Sequence, residues 1–166
     1  MGNIRFTYGP ATAEKLEQIW DQTIAAHPGD DRWVEWKKNA LYDNSTGRSL
    51  TFLVLADDRP IGEGTLLFDE TCGAVAHLTG IVEEGKTTNV NGLRIEKVFE
   101  GQGHISRLVR EMENYARAHG YEKITIGVEA KETRNLAIYL HWGYTEFLCS
   151  EIDEGELVLY YGKELK

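Results

Sequence analysis

"FEGQGHISRLV", residues 99–109, decides how this chain is read. Two glycines one residue apart, then His, Ile and Ser, lead into a stretch with helical periodicity. Glycines at a strand-to-helix junction let backbone N–H groups close on a phosphate, and the helix start adds a dipole that favours an anion. An ordinary tight turn is the plain alternative for such a pair. No Lys follows the second glycine, so the P-loop spelling GxxxxGK(S/T) is not met. Ser106 stands where the third small residue of a GxGxxG dinucleotide fingerprint belongs, so that match is partial. Two helices and an antiparallel hairpin precede the turn, whereas a dinucleotide fold places it among parallel βαβ units.

Downstream, Ile105, Leu108, Val109, Met112, Tyr115 and Ala116 form an apolar stripe that stops at His119-Gly120, which predicts a helix. Upstream, "TNVNGLRIEKVF" (88–99) alternates, with Leu93 and Ile95 on one face and Arg94 and Glu96 on the other. "IRFTY" (4–8) reads as a short strand. "ATAEKLEQIWDQTIAAH" (11–27) and "DDRWVEWKKNALYDN" (30–44) read as helices separated by Pro28-Gly29. "SLTFLVLADDRPIGEGTLLF" (49–68) reads as a hairpin around Asp57-Asp58-Arg59-Pro60. The Gly-, Glu- and Thr-rich stretch about 69–88 is expected to be a long loop with one short strand near Val75–Leu78. "EKITIGVEA" (122–130) predicts a buried strand, "ETRNLAIYLHWG" (132–143) a short helix and "GELVLYYGKEL" (155–165) a last strand.

At 166 residues, with 42% apolar and 27% charged residues, the chain is expected to fold as a single α/β (α+β) domain over 1–166, with a mixed central sheet of about six to seven strands flanked by helices. A net charge of −9 argues against a nucleic-acid or anionic-membrane partner. The start "MGNIRFTYGP" carries no signal pattern and no run reaches spanning length, so a cytoplasmic setting is expected. Cys72 and Cys149 are isolated, which predicts free thiols and no metal site.

From about residue 4 to the C-terminus the order of elements resembles the GNAT superfamily of acetyl-coenzyme A-dependent N-acetyltransferases. The turn is similar to that family's Q/R-x-x-G-x-G/A, with Gly103 as the central glycine, Glu100 at the first position and Ile105 at the last. The resemblance implies a pyrophosphate cradle formed by the backbone of Gly101, Gln102, Gly103, His104, Ile105 and Ser106, with Glu100 turned to solvent. Ser106 Oγ, Arg107 and Arg110 could add donors from the helix. "NLAIYLHWGY" (135–144) resembles the family's LYxxxGF, and Tyr139, Gly143 and Tyr144 keep its spacing. By that likeness Tyr139 hydrogen-bonds or protonates the departing thiolate, a thiol of pKa roughly 8.5 against a phenol of roughly 10. Asn135, one turn earlier, would face the pantetheine arm, while capping competes for Glu132 and Thr133.

The resemblance also implies a strand bulge at or next to Ile95 whose free N–H meets the thioester carbonyl, worth about 3 kcal/mol in comparable sites. A carboxylate must take the proton of the attacking amine. Glu129 is the first candidate, followed by Glu96 and Glu63. Asp30, Asp31, Trp33, Trp36, Tyr42, Glu83 and Glu84 would line the acceptor side, a set suited to a small-molecule amine such as an aminoglycoside, polyamine or amino acid derivative. Trp33 and Trp36, three apart, are read as core-facing. The expected activity is acetyl transfer by direct attack, with a non-catalytic acyl-CoA-binding regulatory module as the alternative and a nucleotide-dependent oxidoreductase as a third reading. A homodimer is compatible with the sequence.

Overall fold

The computed structural model describes residues 2–166. Its elements run β1 (Phe6–Pro10), α1 (Ala13–Ala26), α2 (Arg32–Ser45), β2 (Ser49–Ala56), β3 (Arg59–Leu67), β4 (Thr87–Ile95), α3 (His104–Ala118), β5 (Lys123–Glu129), α4 (Thr133–His141), β6 (Glu146–Asp153) and β7 (Glu156–Glu164). The strands form one seven-stranded mixed sheet in the order β1-β2-β3-β4-β5-β7-β6. Packing groups the chain into two compact units, one of residues up to 66 with 92–112 and the other of 67–91 with 113–166. Among the described residues, no helix is long and apolar enough to cross a membrane.

In the first unit β1 and β2 pair antiparallel, Phe6 opposite Ala56 and Pro10 opposite Phe52. Thr12 caps α1 by accepting from the Lys15 N–H at 3.2 Å, and that helix buries Leu16 and Ile19 one turn apart. The β2–β3 connection is tighter than the four-residue turn expected. Asp57 and Asp58 both take positive φ, 46° and 71°, the geometry of a two-residue type I′ hairpin. Residues 97–99, expected at the end of a long strand, form one turn of 3₁₀ helix after Ile95.

In the second unit β4 pairs parallel with β5, Thr87 opposite Lys123 through Val90 opposite Ile126. β5 and β6 flank β7, both antiparallel. The stretch between β3 and β4 is a packed loop and carries no strand at Val75–Leu78. There the N–H groups of Val75 and Ala76 donate to Cys72 O at 3.0 and 2.9 Å, and that of Leu78 to Val75 O at 2.9 Å, so the backbone turns instead of extending. The loop folds because Cys72, Val75, Ile81 and Val82 bury together with Leu67 and cover Tyr160. Thr125 Oγ1 donates to Ile81 O and Thr88 Oγ1 to Leu67 O, both at 2.9 Å, fixing the loop ends to the strands beneath.

Gly127 in β5 lies against the ring of Tyr160; a Cβ there would fall 2.8 Å from its Cε1 and 3.2 Å from its Cδ1. Gly127→Ala is therefore expected to cost about 1–3 kcal/mol, lowering the melting temperature by roughly 3–10 °C. A thermal scan that leaves the midpoint unchanged would show that Tyr160 yields freely.

Candidate active site

The candidate site residues of the first unit include the turn where β4 gives way to α3. Gly101 and Gly103 adopt φ of +76° and +85°, a region that L side chains enter only with strain, and nothing lies within 4 Å of where a Cβ would stand at either. The turn is thus dictated by backbone geometry, and the space over it is open. The Arg107 N–H makes the first helical bond, to Gly103 O at 3.1 Å. Gly103 is therefore the helix cap, and the N–H groups of His104, Ile105 and Ser106 are first-turn donors with no helical acceptor. Glu100 is exposed, as expected from the sequence.

His104 anchors this turn from behind. It is buried, with Nδ1 2.8 Å from Tyr8 Oη and Nε2 3.2 Å from Gln102 Oε1. Burial lowers its pKa, so the ring is neutral near pH 7. With Nε2–H donating to the Gln102 carbonyl oxygen, Nδ1 accepts from the Tyr8 hydroxyl. Phe6 packs on the same ring at 4.3 Å between centroids, and the Arg107 guanidinium lies 4.9 Å above the Tyr8 ring. The sequence singled out His104 for its backbone alone; its side chain ties β1 to the glycine turn.

β4 also carries a left-handed residue upstream of Ile95. The left-handed residue of this strand is Gly92, φ +67°, three residues before Ile95, and a left-handed glycine within a strand is a bulge signature. On neighbouring β3, Glu63 is buried and paired with Arg94, Nη2 to Oε2 2.8 Å. Burial raises the Glu63 pKa and the guanidinium opposes that rise. Glu96 is engaged by both nitrogens of the Arg59 fork, at 2.6 and 3.0 Å, so its carboxylate is occupied.

The aromatics of α2 are not fully buried. α2 has no buried residue, and Trp36 is 40% exposed. Trp33 and Trp36, three apart, separate in role: Trp33 is part-buried with its ring 6.3 Å from that of Trp20, while exposed Trp36 meets Trp33 edge-on at 4.9 Å and 76°. Trp33 also stacks on His27 at 4.3 Å. Asp30 is held near pKa 2 by its hydrogen bonds with Arg32.

In the second unit α4 presents Tyr139 half-buried against Trp142, 5.5 Å between centroids, and burial raises the phenol pKa. Asn135 lies exposed on the same helix, and Glu132 makes no side-chain cap bond. After Gly143, φ +100°, the Tyr144 ring is fully buried; its hydroxyl donates to Glu113 Oε2 at 2.8 Å, and Lys163 reaches the same carboxylate at 3.0 Å. The aromatic of the Gly-aromatic pair is an anchor for α4. Glu129 ends β5 partly exposed, 3.7 Å from Lys131, which itself binds Glu156 at 2.7 Å.

Ile95 and the 101–106 turn thus belong to the first unit, and Glu129, Asn135 and Tyr139 to the second. Sequence reasoning did not bring Arg94, Glu63 and Trp20 together, as the structure does. The available signal was Gly62-Glu63-Gly64, a carboxylate between two glycines inside an apolar strand, which calls for a buried partner.

A mixed sheet with an open glycine turn at the start of one helix and a tyrosine-bearing short helix later in the chain defines an α/β protein. The acetyltransferase (GNAT) family model matches residues 13–144, and the chain belongs to that family, which makes it an acyltransferase. Its fold is similar to that of a GNAT family acetyltransferase from Elizabethkingia anophelis with acetyl-CoA bound, at TM-score 0.63 and 19% identity over 96% of this chain and 98% of that one. It is likewise similar to yncA from Salmonella typhimurium with acetyl-CoA, at TM-score 0.70 and 12% identity over 97% and 94%. The paia N-acetyltransferase from Thermoplasma acidophilum in complex with coenzyme A matches at TM-score 0.61 and 14% identity over 96% and 99%. Among curated proteins none matches the chain by sequence.

Proposed function

We propose that residues 1–166 act as one N-acetyltransferase domain that moves an acetyl group from acetyl-CoA to the primary amine of a small molecule. The observation that carries this reading is the open left-handed turn at Gly101 and Gly103 leading to the first-turn N–H groups of His104, Ile105 and Ser106, which have no helical acceptor, at the head of a 15-residue helix. Such a turn suits a pyrophosphate, since it offers first-turn backbone donors and open space where a Cβ would stand at Gly101 and Gly103. In this assignment the backbone of 101–106 with Ser106 holds the diphosphate of acetyl-CoA. Asn135 faces the pantetheine arm, and the N–H at or next to Ile95 receives the thioester carbonyl. The amine nitrogen attacks the carbonyl carbon and the C–S bond breaks. The sulfur takes a hydrogen bond and then a proton from Tyr139, while a carboxylate, Glu129 first, takes the proton the amine loses. A net charge of −9 supports a small cationic or zwitterionic acceptor over nucleic acid or an anionic membrane.

Calorimetry with acetyl-CoA followed by thiol release on an amine panel tests this. Saturable binding and amine-dependent release are expected. Gly103→Ala, which forces a side chain into φ +85°, should weaken binding about tenfold, the equivalent of roughly 1–2 kcal/mol of left-handed strain. Binding with no release on any amine would favour the regulatory module. Absence of binding would overturn both.

A further inference from the structure

Trp20 of α1, Trp33 of α2, Glu63 of β3 and Arg94 of β4 form one cluster in the first unit. The Arg94 guanidinium lies 5.5 Å from the centroids of both indoles, whose rings are 6.3 Å apart and inclined at 52°. At one corner it gives Nη2 to Glu63 at 2.8 Å. The pair is asymmetric: Glu63 is 4% exposed, whereas the Arg94 side chain is 32% exposed. A guanidinium carries five N–H donors in a plane, and among the described residues Glu63 is the one acceptor bonded to this side chain. Two rings and a buried carboxylate therefore fix a cation whose remaining donors are left for something else. Arg94 also immediately precedes Ile95, the position read as meeting the thioester carbonyl.

We infer that Arg94 recognises a carboxylate on the acceptor, so that the amine substrate is an amino acid or another amine bearing a carboxylate. This rests on the acetyltransferase reading above. Planar, bidentate pairing with a carboxylate is what a fixed guanidinium offers and an ammonium does not. The same geometry disfavours polyamines and aminoglycosides. The indole faces that would attract their ammonium groups already hold the protein's own cation, and the charge of Glu63 is already matched. Glu63 acts through Arg94 as a positioning residue.

The test uses the full chain with acetyl-CoA and matched acceptors: free amino acids, their methyl esters, their decarboxylated amines, and spermidine. The best amino acid is expected to exceed its ester and its amine by about tenfold to a hundredfold in kcat/KM. Glu63→Met/Arg94→Met, which removes the pair without stranding a buried charge, should erase that preference by raising the amino acid KM and leave the acetyl-CoA KM unchanged. Arg94→Lys should keep only part of it. Esters or spermidine acetylated as well as amino acids, or a preference that survives in the double variant, would overturn the inference. So would acetyl-CoA binding with no acetylation of any carboxylate-bearing amine, an outcome that leaves the cofactor reading standing. Failure to bind acetyl-CoA would remove that reading and the inference with it.

Discussion

Tyr139→Phe is expected to lower kcat by about 10²–10⁴-fold, the range for losing one positioned proton donor, with acetyl-CoA affinity unchanged. The ring packs against Trp142 through its body, so Phe keeps the contact and only the hydroxyl is lost. Burial raises the Tyr139 pKa above its ordinary 10.0. An acid with a raised pKa keeps its proton to higher pH, so the phenol stays protonated throughout the range in which an amine is assayed. The wild-type pH–rate profile should accordingly show no descending limb from this group below about pH 10. The phenol is also a weaker acid than a thiol. Its contribution is therefore largest as a hydrogen bond to the sulfur while charge develops there, with transfer completed as the thiolate leaves. Steady-state kinetics of the Phe variant, with calorimetry of acetyl-CoA, reads this directly. A variant with wild-type kcat would remove Tyr139 from the chemistry and leave it a packing residue of α4.

Much of the fold was legible because its signals are local. The stripe from Ile105 to Ala116 gave α3 its buried face, with Leu108, Met112 and Ala116 wholly enclosed, and the stop at Gly120 lies two residues past the helix. β6 was invisible for an equally physical reason. It is the edge strand, it exposes Phe147 at 55% and Ile152 at 69%, and its register shifts between Phe147 and Cys149, so "EFLCSEID" does not alternate. The 69–88 stretch hid its order because Cys72, Val75, Ile81 and Val82 are spaced for neither helix nor strand and meet only through tertiary packing. The site divides the same way. The glycine turn and Tyr139 could be put forward as candidates because turn conformation and short-range spacing are written in adjacent residues. For the Arg94–Glu63 pair, Gly62-Glu63-Gly64 marks a buried carboxylate but not its partner, which lies 31 positions away where alternation alone would send Arg94 to solvent.

That pair should also govern stability. Arg94→Met keeps an apolar stem against Trp20 and Trp33 and removes the charge that faces a 4% exposed carboxylate. Breaking a buried pair from one side costs about 3–5 kcal/mol, whereas replacing both partners with apolar groups is close to neutral. Urea unfolding at pH 7 should therefore find Arg94→Met strongly destabilised and Glu63→Met/Arg94→Met largely restored. The pH dependence fixes the cause. Burial already raises the folded pKa of Glu63 above 4.5, and Arg94 is the group that holds it down. In Arg94→Met the folded pKa rises further, so the folded state binds more protons than the unfolded state between 4.5 and that value. Stability then falls as pH rises through this window and returns as pH is lowered. The deficit of Arg94→Met should shrink between pH 7 and pH 5, and the double variant, which has no carboxyl to protonate, should show no such recovery. A deficit equal at both pH values would place the loss in packing against the indoles instead of in a stranded charge, because only the charge can be relieved by a proton.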